Sequence, residues 1–171
     1  ISLLYFFSNN ISGWLGVEFE LKNLSVLKQI LIWVKNNPIP QIRKTSFRSS
    51  YESCLWLINN KSDNLKDYNI VIKPKTFNFL EQSEMKNVWE YNIGKKDTEH
   101  PTEKPLSLIE RAIKIFSNKN DIVLDPFSGS GTTALACEKL ERKWVGIEIN
   151  EKYCEMAKKR IENYTKQVKL F

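Results

Sequence analysis

Two neighbouring stretches constrain the fold of this chain more than any other feature: DIVLDPFSGSGTT at residues 121–133 and WVGIEI at residues 144–149. Residues 121–125 form a short apolar run of strand length, closed by a glycine-containing turn, and residues 132–140 have helical composition. A second strand follows at 144–149, and 151–164 carries Tyr153, Cys154, Ala157, Ile161 and Tyr164 as one helical stripe. Strand, helix, strand, helix at this spacing predicts parallel pairing through right-handed crossovers, and therefore an α/β sheet protein.

Upstream, Leu106, Ile109, Ile113 and Phe116 recur at helical spacing, with Pro105 at the first turn and Ser107 to Glu110 spaced as a capping box. Three apolar runs, at 3–7, 29–34 and 53–58, are rich in Ile, Val, Trp and Phe and read as strands. Residues 15–27 read as helical. From 60 to 99 the chain turns polar without a period, which predicts surface loop or a small recognition insert, with one short strand at 69–74 ending at Pro74.

The chain has 171 residues, the length of one domain, and its 42% hydrophobic content suffices for an ordinary core. Its net charge of +6 raises the odds of an acidic partner only modestly, because Lys158, Lys159, Arg160, Lys166 and Lys169 read as a solvated helix face. Cys54, Cys137 and Cys154 form no CxxC pair, which argues against a disulfide framework or a zinc site and suits a reducing cytoplasm. The apolar opening, residues 1–7, lacks preceding basic residues and is too short to span a bilayer, so it reads as a buried strand. With no initiator Met before that run, the expectation is a chain cut from something longer.

Gly129 and Gly131 can adopt backbone angles closed to other residues and let a ligand approach the main chain. The helix after them offers free N–H groups and a positive dipole end. Glu148 is expected to end the next strand, where its carboxylate can accept both hydroxyls of a ribose. A triphosphate-binding loop would need Lys where Gly131 stands. The dinucleotide fingerprint is formally met by Gly129, Gly131 and Ala134, a weak match alone, and a purely structural strand-to-helix turn remains open beside it.

The order HPTEKP (residues 100–105), DPFSGSGTT, then GIEI (residues 146–149) resembles the DNA amino-methyltransferases, more narrowly their β group, in which the target-recognition segment precedes the cofactor motifs. Residues 30–52 are similar to the family's middle motifs, so the resemblance covers nearly the whole chain. It implies a Rossmann-like, class I S-adenosylmethionine-dependent methyltransferase fold with circularly permuted motif order, incomplete at the N-terminus. It divides one domain into a partial substrate-cleft half at 1–59, a short target-recognition insert at 60–99 and an S-adenosylmethionine-binding half at 100–171.

Residue by residue, the resemblance implies that Phe127 packs on the cofactor and that Gly129, Ser130 and Gly131 bring the backbone to its methionine part. Asp125, Ser128 and Thr132 belong to the same turn, and Glu148 holds the ribose hydroxyls. His100, Thr102 and Lys104 approach the amino-acid end, where a cation and a hydroxyl can pair with a carboxylate; a structural role for His100 stays equally open. Lys35, Arg43, Lys44 and Arg48, interleaved with aromatics, would face DNA, and Tyr51 would lie near an extruded base.

The family's (D/N/S)-P-P-(Y/F/W) loop, which accepts hydrogen bonds from the target amine, has no counterpart here, because none of the six prolines are adjacent. In the β-group order that loop and its central strand would lie upstream of Ile1, leaving two sheet pieces with unpaired edges and a chain that folds poorly alone. The expected reaction is methyl transfer to N6 of adenine in DNA, with N4 of cytosine as the alternative and no metal required. An inactive remnant, or a cofactor-binding subunit needing a complementing chain, is a second class of reading. A nicotinamide oxidoreductase is a third. The expected partners are DNA and the missing segment or complementing chain, with a homodimer left open. No membrane is expected, and the expected location is the cytoplasm.

Overall fold

A computed structural model of the protein describes residues 2–7, 26–40, 42, 47–58, 76–94 and 103–168. The chain divides into two compact units, residues 1–92 and 93–171. The expected strand at 69–74 and residues 15–25 of the expected helix lie outside the described residues.

The first unit holds β1 (Ser2–Phe7), β2 (Val26–Lys35), β3 (Tyr51–Ile58) and β4 (Val88–Tyr91), in the sheet order β1-β3-β2-β4. β3 pairs antiparallel with both β1 and β2, while β4 joins the other side of β2 in parallel. All three strands expected from the apolar runs are present. Leu27, expected in a helix, instead belongs to β2, whose pairing with β3 starts at Val26↔Ile58 and shifts register between Leu27 and Gln29. β3 is buried continuously from Ser53 to Ile58, which explains why its sequence does not alternate polar and apolar residues.

The stretch expected to be irregular contains β4, which puts Trp89 in the core at 3% exposure. The indole nitrogens of Trp89 and Trp33 donate to the carbonyls of Lys86 (2.8 Å) and Tyr91 (3.2 Å). Phe77 stacks on Trp56 with ring centroids 5.0 Å apart. Four residues are too few to show a period. Tertiary pairing along β2 makes this strand, whatever its local propensity.

The second unit contains α1 (Leu106–Phe116), β5 (Ile122–Asp125), α2 (Thr132–Lys139), β6 (Lys143–Gly146) and α3 (Glu151–Val168). β5 and β6 pair in parallel as expected, with Leu124 beside Val145 and Asp125 beside Gly146. α1 packs on α2, and α2 packs in turn on β6 and α3. The buried side of α1 is Leu108, Ile109, Ala112, Ile113 and Ile115, a face rotated from the expected stripe, because Leu106 and Phe116 remain half-buried. The expected capping box is absent. Pro105 occupies the N-cap, which places Ser107 inside the first turn, and Glu110 pairs with Lys139 at 2.7 Å instead. On the sheet face bearing Ile122, Leu124 and Val145 the side chains are exposed.

α3 is longer than expected and has no fully buried residue; Cys154, expected in its apolar stripe, is exposed and its thiol donates to the Glu148 carbonyl at 3.5 Å. Cys137 lies at the opposite extreme. Burial inside α2 pushes its thiol up to about 12, against the opposing pull of Arg142. No described helix is long and apolar enough to cross a membrane.

Arg142 closes two helix ends at once. Its guanidinium donates to the carbonyls of Ser117 (2.7 Å) and Leu140 (2.6 Å) and to Ser117 Oγ (3.2 Å), where α1 and α2 end and leave carbonyls without helical partners. Arg142→Ala is expected to lower unfolding stability by about 2–3 kcal/mol, since it removes charged donors from three part-buried acceptors. Urea unfolding tests this; a change below about 0.5 kcal/mol, the surface-substitution scale, would show that water replaces the guanidinium without cost.

Candidate functional site: the glycine turn after β5

At the end of β5 the chain turns through Pro126 and Phe127, with Asp125 Oδ1 accepting the Phe127 N–H at 3.0 Å. The next residues are drawn back toward the neighbouring strand. Ser128 N–H donates to the Ile147 carbonyl and Ile147 N–H to the Asp125 carbonyl, each at 2.9 Å. Glu148 therefore sits just past β6 rather than ending it. The strand stops at Gly146 because its partner has already turned away at Pro126. Gly146 lies so close that a Cβ there would be 2.8 Å from Ser128 Oγ.

Glu148 is the centre of this arrangement. One carboxylate oxygen accepts the Gly129 N–H at 2.8 Å and the other accepts the Asn150 N–H at 2.9 Å. Both carboxylate oxygens are thus aimed by charge-assisted bonds from backbone groups. Gly129 and Gly131 both have positive φ, 52° and 76°. Gly131 is the N-cap of α2 and, having no side chain, makes no capping hydrogen bond to that end. Space as well as conformation demands glycine here, since a Cβ at Gly131 would lie 2.7 Å from that of Ala157 on α3.

Asp125, Phe127, Ser128, Gly129, Ser130, Gly131 and Thr132 share this stretch, and Glu148 reaches it through the Gly129 N–H. Ser130 and Thr132 are buried, whereas Phe127 is 81% exposed beside the turn. Of the HPTEKP stretch, Lys104 is described and half-buried; His100 and Thr102 lie outside the described residues. Its neighbour Glu103 ion-pairs with Arg160 at 2.7 Å, and Arg160 donates to Thr132 Oγ1 at 3.1 Å. Sequence reasoning missed this link and counted Arg160 with the solvated lysines. Its side chain is 11% exposed. The available signal was spacing, because Arg160 follows Ala157 by three residues and shares its helix face.

In the first unit, Arg43 and Lys44 lie outside the described residues. Lys35 is held in an ion pair with Glu52 at 3.0 Å, each side chain 12% exposed, and lies 5.4 Å from the Trp33 ring centroid. That cation is already matched, with little left for a phosphate. Arg48 donates to the Pro38 carbonyl. Tyr51 opens β3 opposite Val34 and is 43% exposed, while Phe47 nearby is 99% exposed.

A parallel β-α-β unit with a glycine turn and a backbone-aimed acidic residue after the second strand has the arrangement of a Rossmann-like fold. The DNA methylase family, comprising N6 and N4 amino-methyltransferases, matches residues 5–159. The chain belongs to that family, and to its β group.

Among relatives, it is 36% identical over 150 residues to type II methyltransferase M2.LlaDCHI of Lactococcus lactis subsp. cremoris, covering 85% of this chain and 54% of that protein. It is 35% identical over 151 residues to type II methyltransferase M2.DpnII of Streptococcus pneumoniae, covering 86% and 55%. The chain thus spans about half the length of these curated relatives. The solved complex of M1.HpyAVI with SAM superposes with a TM-score of 0.70 at 36% identity, over 93% of this chain and 74% of that one. The fold is that of the Rossmann-like methyltransferases.

Proposed function

We propose that this chain supplies the cofactor site and part of the substrate cleft of a DNA methyltransferase that moves the methyl group of S-adenosylmethionine to N6 of adenine. The observation that carries the reading is Glu148, oriented by two backbone N–H groups beside an uncapped helix N-terminus. The donor set suits this cofactor: a carboxylate for ribose hydroxyls, a left-handed glycine backbone for close approach, and an exposed Phe127 ring for stacking. His100, Thr102 and Lys104 complete the site at the cofactor's amino-acid end, with Asp125, Ser128, Ser130 and Thr132 shaping the turn.

The bound cofactor supplies an electrophilic methyl group on a good leaving group. What the protein must add is alignment and a polar acceptor for the target amine. Adenine is preferred over N4 of cytosine because the HPTEKP and SSYE stretches and the short stretch at 60–99 resemble the smaller adenine enzymes of the group. Arg43, Lys44 and Arg48 are assigned to DNA phosphates and Tyr51 to the neighbourhood of the extruded base. Because the 171 residues hold no adjacent prolines, hence no polar–Pro–Pro–aromatic loop, they are not expected to methylate DNA unaided.

Three outcomes test this reading. By calorimetry, Gly131→Val abolishes S-adenosylmethionine binding and Glu148→Ala weakens it by about 1–3 kcal/mol; parental affinity in both removes the site assignment. Methyl transfer to unmethylated genomic DNA is absent for the chain alone and appears when a segment carrying a polar–Pro–Pro–aromatic loop is joined or added. Nucleoside mass spectrometry then finds N6-methyladenine, with N4-methylcytosine refuting the choice of base. Lastly, neutralising any one of Arg43, Lys44 or Arg48 reduces the log–log salt slope of DNA binding by roughly one unit. An unchanged slope for all three makes this loop a bystander.

A further inference from the structure

Arg160 is out of place by its surroundings. Lys158 and Lys159 beside it on α3 are exposed, yet its own side chain is 11% exposed and that of its partner Glu103 is 7%. Two groups from distant parts of the sequence meet on one guanidinium nitrogen: Glu103 Oε1 at 2.7 Å and Thr132 Oγ1 at 3.1 Å. Three residues earlier on the same helix, Ala157 abuts Gly131. Helix α3 thus touches the glycine turn through a methyl group and touches the segment before α1 through a buried charge pair.

A buried ion pair adds little net stability over apolar side chains of the same volume, because desolvating both charges offsets most of their attraction. What such a pair supplies is a fixed arrangement, because one guanidinium nitrogen meets both the carboxylate and the hydroxyl. Neither Glu103 nor Arg160 is needed to close the glycine turn, which Glu148 does. Neither caps α1, whose N-cap makes no side-chain hydrogen bond.

We propose that Arg160 is a positioning residue for the cofactor, locking Glu103, and with it the adjoining Lys104, against the first turn of α2. The role rests on the S-adenosylmethionine reading above. It makes the two halves of that site one unit, so that the segment before α1 is held ready for the cofactor's amino-acid end.

The test is calorimetric binding of S-adenosylmethionine, paired with thermal melting, in the unaltered protein, Glu103→Gln, Arg160→Met and the double variant. Each single variant is expected to weaken binding about tenfold, the factor that corresponds to about 1.4 kcal/mol. The double variant is expected to weaken it by a similar factor rather than the product, since the two residues act together. Its melting temperature should return toward the parent, because no unpaired charge stays buried. A merely structural pair would give the opposite result, with affinity recovering alongside stability in the double variant, and that overturns the proposal. So does parental affinity in both single variants. If a single variant fails to fold, the double variant decides alone. Should the unaltered protein bind no S-adenosylmethionine even when a segment carrying a polar–Pro–Pro–aromatic loop is added, the cofactor reading itself falls; should it bind and the double variant bind equally well, only the positioning role does.

Discussion

Two hydrogen bonds to one carboxylate organise the second half of this protein. Glu148 receives the N–H of Gly129 from one side and of Asn150 from the other. The first fixes a turn 19 residues away in sequence, and the second fixes the residue from which α3 departs, where the Asn150 carbonyl accepts from Tyr153 and Cys154. Parallel pairing of β5 with β6 makes this possible, because it brings the two strand ends to the same edge of the sheet. An anionic oxygen aimed by backbone groups costs little further entropy when a ligand hydroxyl arrives, which suits the turn to the role proposed for it.

The helices around the turn depend on two arginines acting at opposite ends of α2. Arg142 answers the carbonyls at its C-terminal end and at that of α1, where a cation also meets the negative end of each dipole. Arg160 reaches the N-terminal end, where a bare cation would oppose the dipole, and its charge is matched there by Glu103. The same end must admit α3 closely, which Gly131 and Ala157 allow by offering no bulk. Close approach, left-handed backbone and an uncapped helix start are one requirement, met by one glycine.

The first unit is organised differently. Its core is aromatic and antiparallel, with Trp33, Trp56 and Trp89 all nearly inaccessible and their sheet extended by a single parallel strand. Within that core Lys35 and Glu52 neutralise one another. The cation count of the basic stretch therefore overstates the positive charge available at the surface. Phe47 and Tyr51 stay exposed beside it.

The glycine turn, the parallel β-α-β unit and the long strands were legible in the sequence because each is dictated locally. Left-handed backbone needs glycine, buried strands need uninterrupted apolar runs, and residue types at fixed spacing carry the family's signature. Features that depend on distant partners were not legible. β4 is a strand because β2 offers it an edge, and its four residues carry no period of their own. The buried face of α1 was set by what packs on it, and Ser107 lost its capping role once Pro105 took the N-cap. Arg160 read as a solvated charge and Lys35 as a DNA contact because a sequence shows how many charges a helix or loop carries, not which ones find a partner away from water. The sequence alone determined the kind of turn and the ligand chemistry it can support. Tertiary structure decided which charged side chains hold that turn in place, because burying a charge is favourable only where a partner at hydrogen-bonding distance replaces the lost water.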